Sequence, residues 1–182
     1  MHLDRPPRRA AALPSTALLA VLFLSACTGG SLVDTERRGA TPATAAAPPA
    51  PPAGCLLDVA TFDADTGLAW AVDDATASDR RCIYNPAGTP GRDFVGVDVA
   101  PLTGGTAAVE LDALGGVCDD GTRTPVAAGE GAFVCRFQGG SVFSAVVTGG
   151  RVVTVAVSGV PAGTTADRLA AAFSTQLTRI AR

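Results

Sequence analysis

The chain has 182 residues, 47% of them hydrophobic and 17% charged, with no lysine and one histidine, His2. Histidine is the usual general base near neutral pH and lysine the usual Schiff-base amine, so enzymes that depend on either are disfavoured. Nine arginines and fourteen acidic residues give residues 55–182 a net charge of −5. Their largest basic cluster is the pair Arg80 and Arg81, which makes nucleic acid a poor candidate partner.

Residues 1–26 have the pattern of a secretory signal peptide. Arg5, Arg8 and Arg9 give a positive start, an apolar run follows over residues 10–25, and small residues close the segment. The run of 16 residues is shorter than the ~20 that a membrane-spanning helix needs. We therefore predict that residues 1–26 are removed on export.

The sequence Leu24-Ser25-Ala26-Cys27 resembles the bacterial lipobox. The resemblance implies that the sulfur of Cys27 carries a diacylglyceryl group and that cleavage occurs just before it. Acyl chains in a bilayer contribute about 0.8 kcal/mol per buried methylene, so Cys27 is predicted to hold the protein at the outer face of the cell membrane as a lipoprotein. The alternatives are ordinary cleavage with a spare thiol and an uncleaved helix.

Residues 27–54 are predicted to form a lipid-anchored, disordered tether. They are rich in Ala, Pro, Thr and Gly, and residues 45–54 read AAAPPAPPAG. Such a segment has too few large apolar side chains to fold alone. At about 3.1 Å per residue it could hold the following domain up to ~80 Å from the membrane. Glycosylation of Thr41 and Thr44 is left open, with a plain linker preferred.

Residues 55–182 are predicted to form one globular domain that opens with a helix. Leu56, Leu57, Ala60 and Ala64 give an approximate helical spacing, which Gly67 would end. Two strands are predicted next, over residues 81–84 and 93–99, separated by a turn rich in proline and glycine.

The clearest strands are predicted over residues 131–138, 142–148 and 151–158. Gly149-Gly150 would join the last two as a two-residue hairpin loop, with Thr148 opposite Arg151. Both faces of this hairpin are apolar, whereas a sheet on a single core layer would show one polar face. We therefore expect material packed on both sides of the sheet.

The C-terminal segment predicts a helix over residues 165–180, with Thr164 as its N-cap and Asp167 three residues later. An apolar stripe follows at helical spacing: Leu169, Phe173, Leu177 and Ile180. The predicted fold class is α+β. It consists of an antiparallel sheet of about five to six strands with the N-terminal and C-terminal helices packed on it, an α/β/α sandwich.

With Cys27 assigned to lipid, four cysteines remain: Cys55, Cys82, Cys118 and Cys135. An even number in an exported chain favours two disulfides, for which three pairings are open. We favour Cys55 with Cys82, which would pin the first helix to a strand, and Cys118 with Cys135, which flank one loop. A zinc site is the alternative, but no CxxC pair or histidine supports it. No metal or cofactor is predicted.

Together these patterns resemble small actinobacterial cell-envelope lipoproteins of uncharacterised function. The quoted features are the lipobox, the Pro/Ala tether, Cys-Leu-Leu at residue 55, Arg-Cys-Ile-Tyr at residue 81, GEGAFVC at 129–135 and RVVTVAVSG at 151–159. The resemblance implies a helix–sheet–helix sandwich similar to the PsbP-like fold, and it brings no catalytic residues. The extracellular sensor domains of some actinobacterial receptor kinases are distantly similar.

Trp70, Tyr84 and Phe94 are the candidate ligand-binding residues, because aromatic rings offer a large contact area. Core packing is the competing interpretation. The leading hypothesis is a non-enzymatic binding or protein-interaction module of the cell envelope, and the alternative is a carrier of a small apolar or lipid-like ligand. A large apolar cavity would favour the carrier, and a flat apolar patch would favour a protein partner. An enzyme would need clustered carboxylates of raised pKa.

Overall fold

The computed structural model describes residues 54–88 and 93–182. The predicted signal peptide, Cys27 and the rest of the predicted tether as far as residue 53 lie outside the described residues. The elements, in chain order, are α1 (Val59–Thr66), β1 (Trp70–Val72), β2 (Arg81–Pro86), β3 (Val95–Pro101), α2 (Ala107–Gly115), β4 (Thr124–Val126), β5 (Gly131–Phe137), β6 (Ser141–Thr148), β7 (Arg151–Val157) and α3 (Ala166–Ile180).

The strands form one seven-stranded antiparallel sheet in the order β1-β2-β3-β7-β6-β5-β4. Strands β1 to β3 and β4 to β7 are two groups of consecutive neighbours, and the pairing of β3 with β7 joins them. The predicted hairpin register is confirmed, since Thr148 pairs with Arg151. Gly149 and Gly150 have φ values of 56° and 72°, which the two-residue loop requires.

The α+β class and the antiparallel sheet are confirmed, but the sheet has seven strands where five to six were expected. The two strands absent from the prediction are β1 and β4, the edge strands. Each has three residues, too few to show the alternation that identifies a strand in a sequence. Pro125 also lies within β4, and proline argues against a strand unless the strand lies at an edge.

The two predicted helices are present, with one correction at the N-cap of α3. The cap is Thr165, whose side chain accepts a hydrogen bond from the backbone N–H of Arg168; the prediction of Thr164 was wrong. Thr165 has the extended backbone that a cap needs, while the hydroxyl of Thr164 is buried without a hydrogen-bond partner. Helix α1 ends at Gly67, as predicted, with φ at 74°.

The distribution of the helices over the two faces of the sheet differs from that of the predicted sandwich. Helices α1 and α3 contact each other and share one face, which we call the α1/α3 face. The opposite face, the α2 face, is covered by α2 over strands β5 and β6. Helix α2 was not predicted from the sequence, because its apolar stripe is short: it consists of Ala107, Leu111 and Leu114, of which Leu111 is the buried one.

Each face of the sheet has its own core, as the two apolar faces of the β6–β7 hairpin predicted. On the α1/α3 face, valines of β3, β6 and β7 pack against the aromatic and leucine side chains of the two helices. The smaller core of the α2 face consists of Leu111, Phe133, Cys135, Ala145, Val147 and Val152. Adjacent residues along β6 thus point into different cores.

Two disulfides join the chain, Cys55–Cys82 and Cys118–Cys135, the pairing that the sequence favoured. Cys82 belongs to the core of the α1/α3 face and Cys135 to that of the α2 face. Each face is therefore fastened by its own disulfide. Among residues 54–88 and 93–182, no helix is both long and apolar enough to cross a membrane.

Candidate functional site

The α2 face is covered over part of its width, and the uncovered part contains a shallow depression. Its volume is about 280 Å³. Strands β2, β3 and β7 form its floor, and the end of β5 closes one side. The lining residues are Arg81, Ile83, Phe94, Gly96, Asp98, Phe137, Ala156, Val157 and Ser158.

The depression exists because two small residues, Gly96 and Ala156, lie side by side on neighbouring strands. Ile83 pairs with Gly96, which in turn pairs with Ala156. The φ of Gly96 lies outside the left-handed region, so the backbone does not require glycine there. A Cβ added at Gly96 would lie 3.5 Å from Cδ1 of Ile83, an ordinary contact. What glycine provides at this position is space.

Aromatic rings border the depression and connect it to the core beneath α2. The rings of Phe137 and Phe143 lie 5.9 Å apart in an edge arrangement, and Phe143 lies 5.9 Å from Phe133. Phe94, which is half-buried, lines the depression just before β3, where its backbone N–H donates to the hydroxyl of Ser158 at 2.9 Å. The apolar surface therefore continues from the covered part of the α2 face into the uncovered part.

A single ion pair forms the polar rim of the depression. Arg81 donates to both carboxylate oxygens of Asp98, from Nε at 2.7 Å and from Nη2 at 3.2 Å. The hydrogen bond to Asp98, and then its negative charge, raise the pKa of Arg81. The side chains are 60% and 48% exposed, so the pair adds at most about 1 kcal/mol to stability. The rim is polar, but its two charges compensate each other.

Of the three aromatic residues predicted to bind a ligand, the depression includes Phe94. Trp70 and Tyr84 are 4% and 0% exposed and lie in the core of the α1/α3 face. Trp70 Nε1 donates to Thr66 Oγ1 at 2.9 Å, and the Tyr84 hydroxyl accepts from the backbone N–H of Leu57 at 3.1 Å. Burial raises the pKa of Tyr84. The three rings therefore do not line one groove.

Sequence reasoning missed Gly96, Ala156 and the pair Arg81 and Asp98 as parts of a site. The alternation along β3 did place Gly96 and Asp98 on one face of the strand with Phe94. However, the sequence offered no signal for how much of that face a helix covers, because α2 itself was not predicted.

The lining of the depression is mostly apolar. Its floor and sides are aliphatic and aromatic, and its polar groups lie at the rim. Among residues 54–88 and 93–182, no group of three or more cysteine, aspartate or glutamate side chains is arranged to hold a metal ion. The carboxylate whose pKa is shifted, Asp58, is the N-cap of α1, and its pKa is lowered chiefly by the N–H of Thr61.

Comparisons of the chain with protein-family models, with curated proteins and with solved structures each gave no match. The resemblance to actinobacterial lipoproteins with a PsbP-like sandwich therefore stays a prediction from the sequence motifs.

Proposed function

We propose that this protein is a non-enzymatic lipoprotein of the cell envelope that presents a binding or protein-interaction module at the outer face of the cytoplasmic membrane. The contact surface is the depression on the α2 face. The observation that carries this proposal is an apolar sheet face that its helix covers only in part. Contiguous apolar surface on a soluble protein marks interaction sites.

The shape of the depression favours a protein partner over an enclosed ligand. Its volume of about 280 Å³ is at or below the lower end of the roughly 300–1,000 Å³ typical of pockets that bury most of a small molecule. A segment of a partner can lie across an open sheet face and contact Ile83, Phe94, Phe137 and Ala156 together. The second candidate, a carrier of a small apolar or lipid-like ligand, is supported by the same apolar lining.

The N-terminal sequence supports the proposed location. The basic start, the 16-residue apolar run and the lipobox ending at Cys27 favour export and lipid attachment. The membrane is then one partner, through the acyl chains on Cys27. The net charge of −5 on residues 55–182 argues against nucleic acid as another.

Replacing Cys27 tests the membrane attachment. The wild-type chain is expected in the membrane fraction of its host, and Cys27→Ala in the soluble fraction, because the variant has no sulfur to acylate. A Ser31→Ala variant of the adjoining segment is the matched control and should stay with membranes. Membrane attachment of Cys27→Ala, with an N-terminal segment that is still uncleaved, would overturn the lipid anchor.

Photo-crosslinking in living cells tests the contact surface. p-Benzoylphenylalanine in place of Phe137 should give a discrete heavier adduct, and the same group in place of Val109, on the exposed side of α2, should not. Gly96→Val fills the floor and should abolish the adduct. Ala100→Val is its matched control, because Ala100 is exposed, lies on the same strand and face, and does not line the depression.

Each outcome of this experiment decides between the candidates. A protein adduct that Gly96→Val removes and Ala100→Val retains supports the interaction module. An adduct with the mass of a lipid or metabolite supports the carrier instead. Failure to form an adduct at Phe137, or an adduct that is insensitive to Gly96→Val, rules out the depression as the contact surface.

A further inference from the structure

Helix α2 packs on the sheet through a small contact. Leu111 is its buried residue, with the half-buried Ala107 and Leu114 beside it. A Cβ added at Gly131 of β5 would lie 2.7 Å from Cδ1 of Leu111, closer than two carbon atoms pack. Glycine at 131 therefore leaves the space that this leucine occupies. The outward side of the helix carries Val109, which is 64% exposed, so little else holds the helix by packing.

A pair of glycines lies at each end of α2. Gly104-Gly105 comes just before the helix, and Gly115-Gly116 ends it. Gly104 has a φ of 74°, and an added Cβ there would meet nothing within 4 Å. Glycine has the widest range of backbone angles, and segments that move as a unit often turn at small residues. The helix can therefore leave the sheet as a unit by rotation at its two ends.

The disulfide Cys118–Cys135 is the covalent attachment of α2 to the sheet. Cys118 lies two residues after the cap Gly116, and Cys135 lies in β5. The ion pair of Arg123 with Asp112 adds little, because its side chains are 39% and 77% exposed to water. The position of α2 therefore depends chiefly on this disulfide.

The core beneath α2 is the buried continuation of the depression. Phe133 and Val147 are 1% and 0% exposed and share this core with Leu111. The ring of Phe143 lies 5.9 Å from that of Phe133 and 5.9 Å from that of Phe137, which lines the depression. Displacement of α2 would therefore join the core and the depression in one apolar surface.

We infer that Cys118–Cys135 is a redox-controlled fastening of the contact surface. Its reduction by a dithiol releases α2 from the sheet and widens the depression across β6 and β5, which strengthens binding of the partner. The inference rests on the proposed function in one respect, that the depression is the contact surface. In an oxidising compartment the disulfide persists and α2 stays in place, so release requires the dithiol.

The chemistry is thiol–disulfide exchange. One thiolate of the dithiol attacks a sulfur of the disulfide, and the second thiol of the dithiol then displaces the remaining protein sulfur from the mixed disulfide. The dithiol is oxidised to a disulfide, and the Cys118–Cys135 bond is reduced to two thiols that take up the two protons of the dithiol.

The other disulfide, Cys55–Cys82, is not equivalent. Cys82 is fully buried in the core of the α1/α3 face, to which α1 and α3 contribute Phe62 and Phe173. A thiolate reaches this disulfide when that larger core opens, whereas local opening of α2 suffices for Cys118–Cys135. We therefore expect Cys118–Cys135 to be reduced first.

Stepwise reduction tests whether the two disulfides differ. The sample is the chain from residue 27 onward with Cys27→Ser, so that the two disulfides account for all its cysteines. Alkylation at each dithiothreitol concentration, followed by peptide mass spectrometry, should find Cys118 and Cys135 modified at about a tenfold lower concentration than Cys55 and Cys82.

Hydrogen exchange on the same samples tests the release of α2. Where only Cys118–Cys135 is reduced, the amides of α2 should exchange about tenfold faster, and those of α3 should exchange at an unchanged rate. The inference is overturned if both disulfides are reduced together, if α2 exchange stays unchanged, or if α2 and α3 lose protection equally. This experiment needs no replacement in residues 54–182, so it gives an answer even if a Cys→Ser variant folds poorly.

Crosslinking in cells tests the effect on the partner. Cys118→Ser with Cys135→Ser fixes the released form. It should raise the yield of the partner adduct from p-benzoylphenylalanine in place of Phe137 about fivefold, because newly exposed apolar side chains add contact area. Cys55→Ser with Cys82→Ser is the matched control and should not raise the yield.

The outcomes separate this inference from the proposed function. An adduct whose yield is equal or lower in the released form overturns the redox control and leaves the interaction module standing. Selective release of α2 in the purified chain, with no adduct in cells in either form, supports the release and contradicts the proposed partner.

Discussion

The two faces of the sheet differ in how completely helices cover them. On the α1/α3 face, α3 buries Leu169, Ala172, Phe173, Gln176 and Leu177, and α1 packs beside it. On the α2 face, the covering helix buries Leu111 and leaves β2, β3 and part of β7 open. The same strands serve both faces, so the difference originates in the helices. Complete coverage buries more apolar surface, and partial coverage leaves the surface that we propose binds a partner.

Interactions outside the core hold α2 against the sheet, because the helix itself buries little beyond Leu111. The guanidinium of Arg123 lies 4.5 Å from the centre of the Phe133 ring and donates to Asp112 of α2 at 3.0 Å. The disulfide Cys118–Cys135 ties the residues just after α2 to β5. The α2 face is thus stabilised more by these local interactions than by a large core.

The largest contrast between the faces is expected for their phenylalanines. Phe173 is fully buried and its ring lies 5.9 Å from that of Phe62, so Phe173→Ala should lower the free energy of unfolding by about 3 to 5 kcal/mol. Phe94→Ala, on the open part of the α2 face, should cost less than half as much, because less area leaves contact. Urea denaturation measures both. Equal losses would contradict the difference in coverage.

Removing one disulfide at a time tests the same comparison, with a slightly smaller expected loss in the free energy of unfolding. The cysteines lie 27 residues apart in Cys55–Cys82 and 17 apart in Cys118–Cys135. Loop entropy predicts a loss of about 3 kcal/mol for either paired Cys→Ser replacement, with the longer loop costing slightly more. Removing Cys118–Cys135 should speed hydrogen exchange in α2 and leave α3 protected. Faster exchange of both helices would show that the faces unfold together.

The sequence predicted those elements whose own pattern determines their structure. The β6–β7 hairpin was predictable because Gly149-Gly150 permits the positive φ values of a two-residue hairpin turn and the valines alternate on both sides. Helix α3 was predictable from its apolar stripe. The cap lies one residue later than expected. Thr164 and Thr165 are chemically equivalent, and the structure distinguishes them by the extended backbone of Thr165 and the buried hydroxyl of Thr164.

The depression was not predictable, because it lies where no helix covers the sheet. Gly96 looks in the sequence like a weak position in a strand, and its use as floor space depends on Ala156, sixty residues away and brought alongside by the pairing of β3 with β7. Trp70 and Tyr84 carry the large amphipathic rings that binding sites often use. Their polar atoms are satisfied within the core by Thr66 and Leu57.

Gly96→Ala should separate stability from binding on the α2 face. The backbone at Gly96 accepts a side chain and the added Cβ meets Ile83 at an ordinary distance. The variant is therefore expected to gain about 0.4 to 1 kcal/mol through its less flexible unfolded state and to bind more weakly as its floor rises. Urea denaturation and crosslinking at Phe137 measure the two effects. A loss of stability would show that glycine is needed for the fold.

The smallest effect is expected at Asp58, which joins α1 to α3. The N–H of Thr61 and the guanidinium of Arg179 lower the pKa of Asp58, and Arg179 Nη2 donates to its carboxylate at 2.8 Å. A lowered pKa in the folded state means that the stabilisation is complete above the unfolded pKa, near 4, and is lost as the pH falls through the folded value. Because asparagine also serves as an N-cap, Asp58→Asn removes the charge and keeps the cap.

The free energy of unfolding of Asp58→Asn should therefore lie below that of the wild-type chain at pH 7, and the two should converge below about pH 4. Urea denaturation at half-unit steps between pH 2 and pH 7 measures the difference, with Asp120→Asn as a control for the loss of one negative charge at an exposed site. A difference that stays constant over this range would mean that the charge of Asp58 contributes nothing to holding the two helices together. The closure of the α1/α3 face would then rest on packing and on the hydrogen bonds that Gln176 exchanges with the backbone of Asp58.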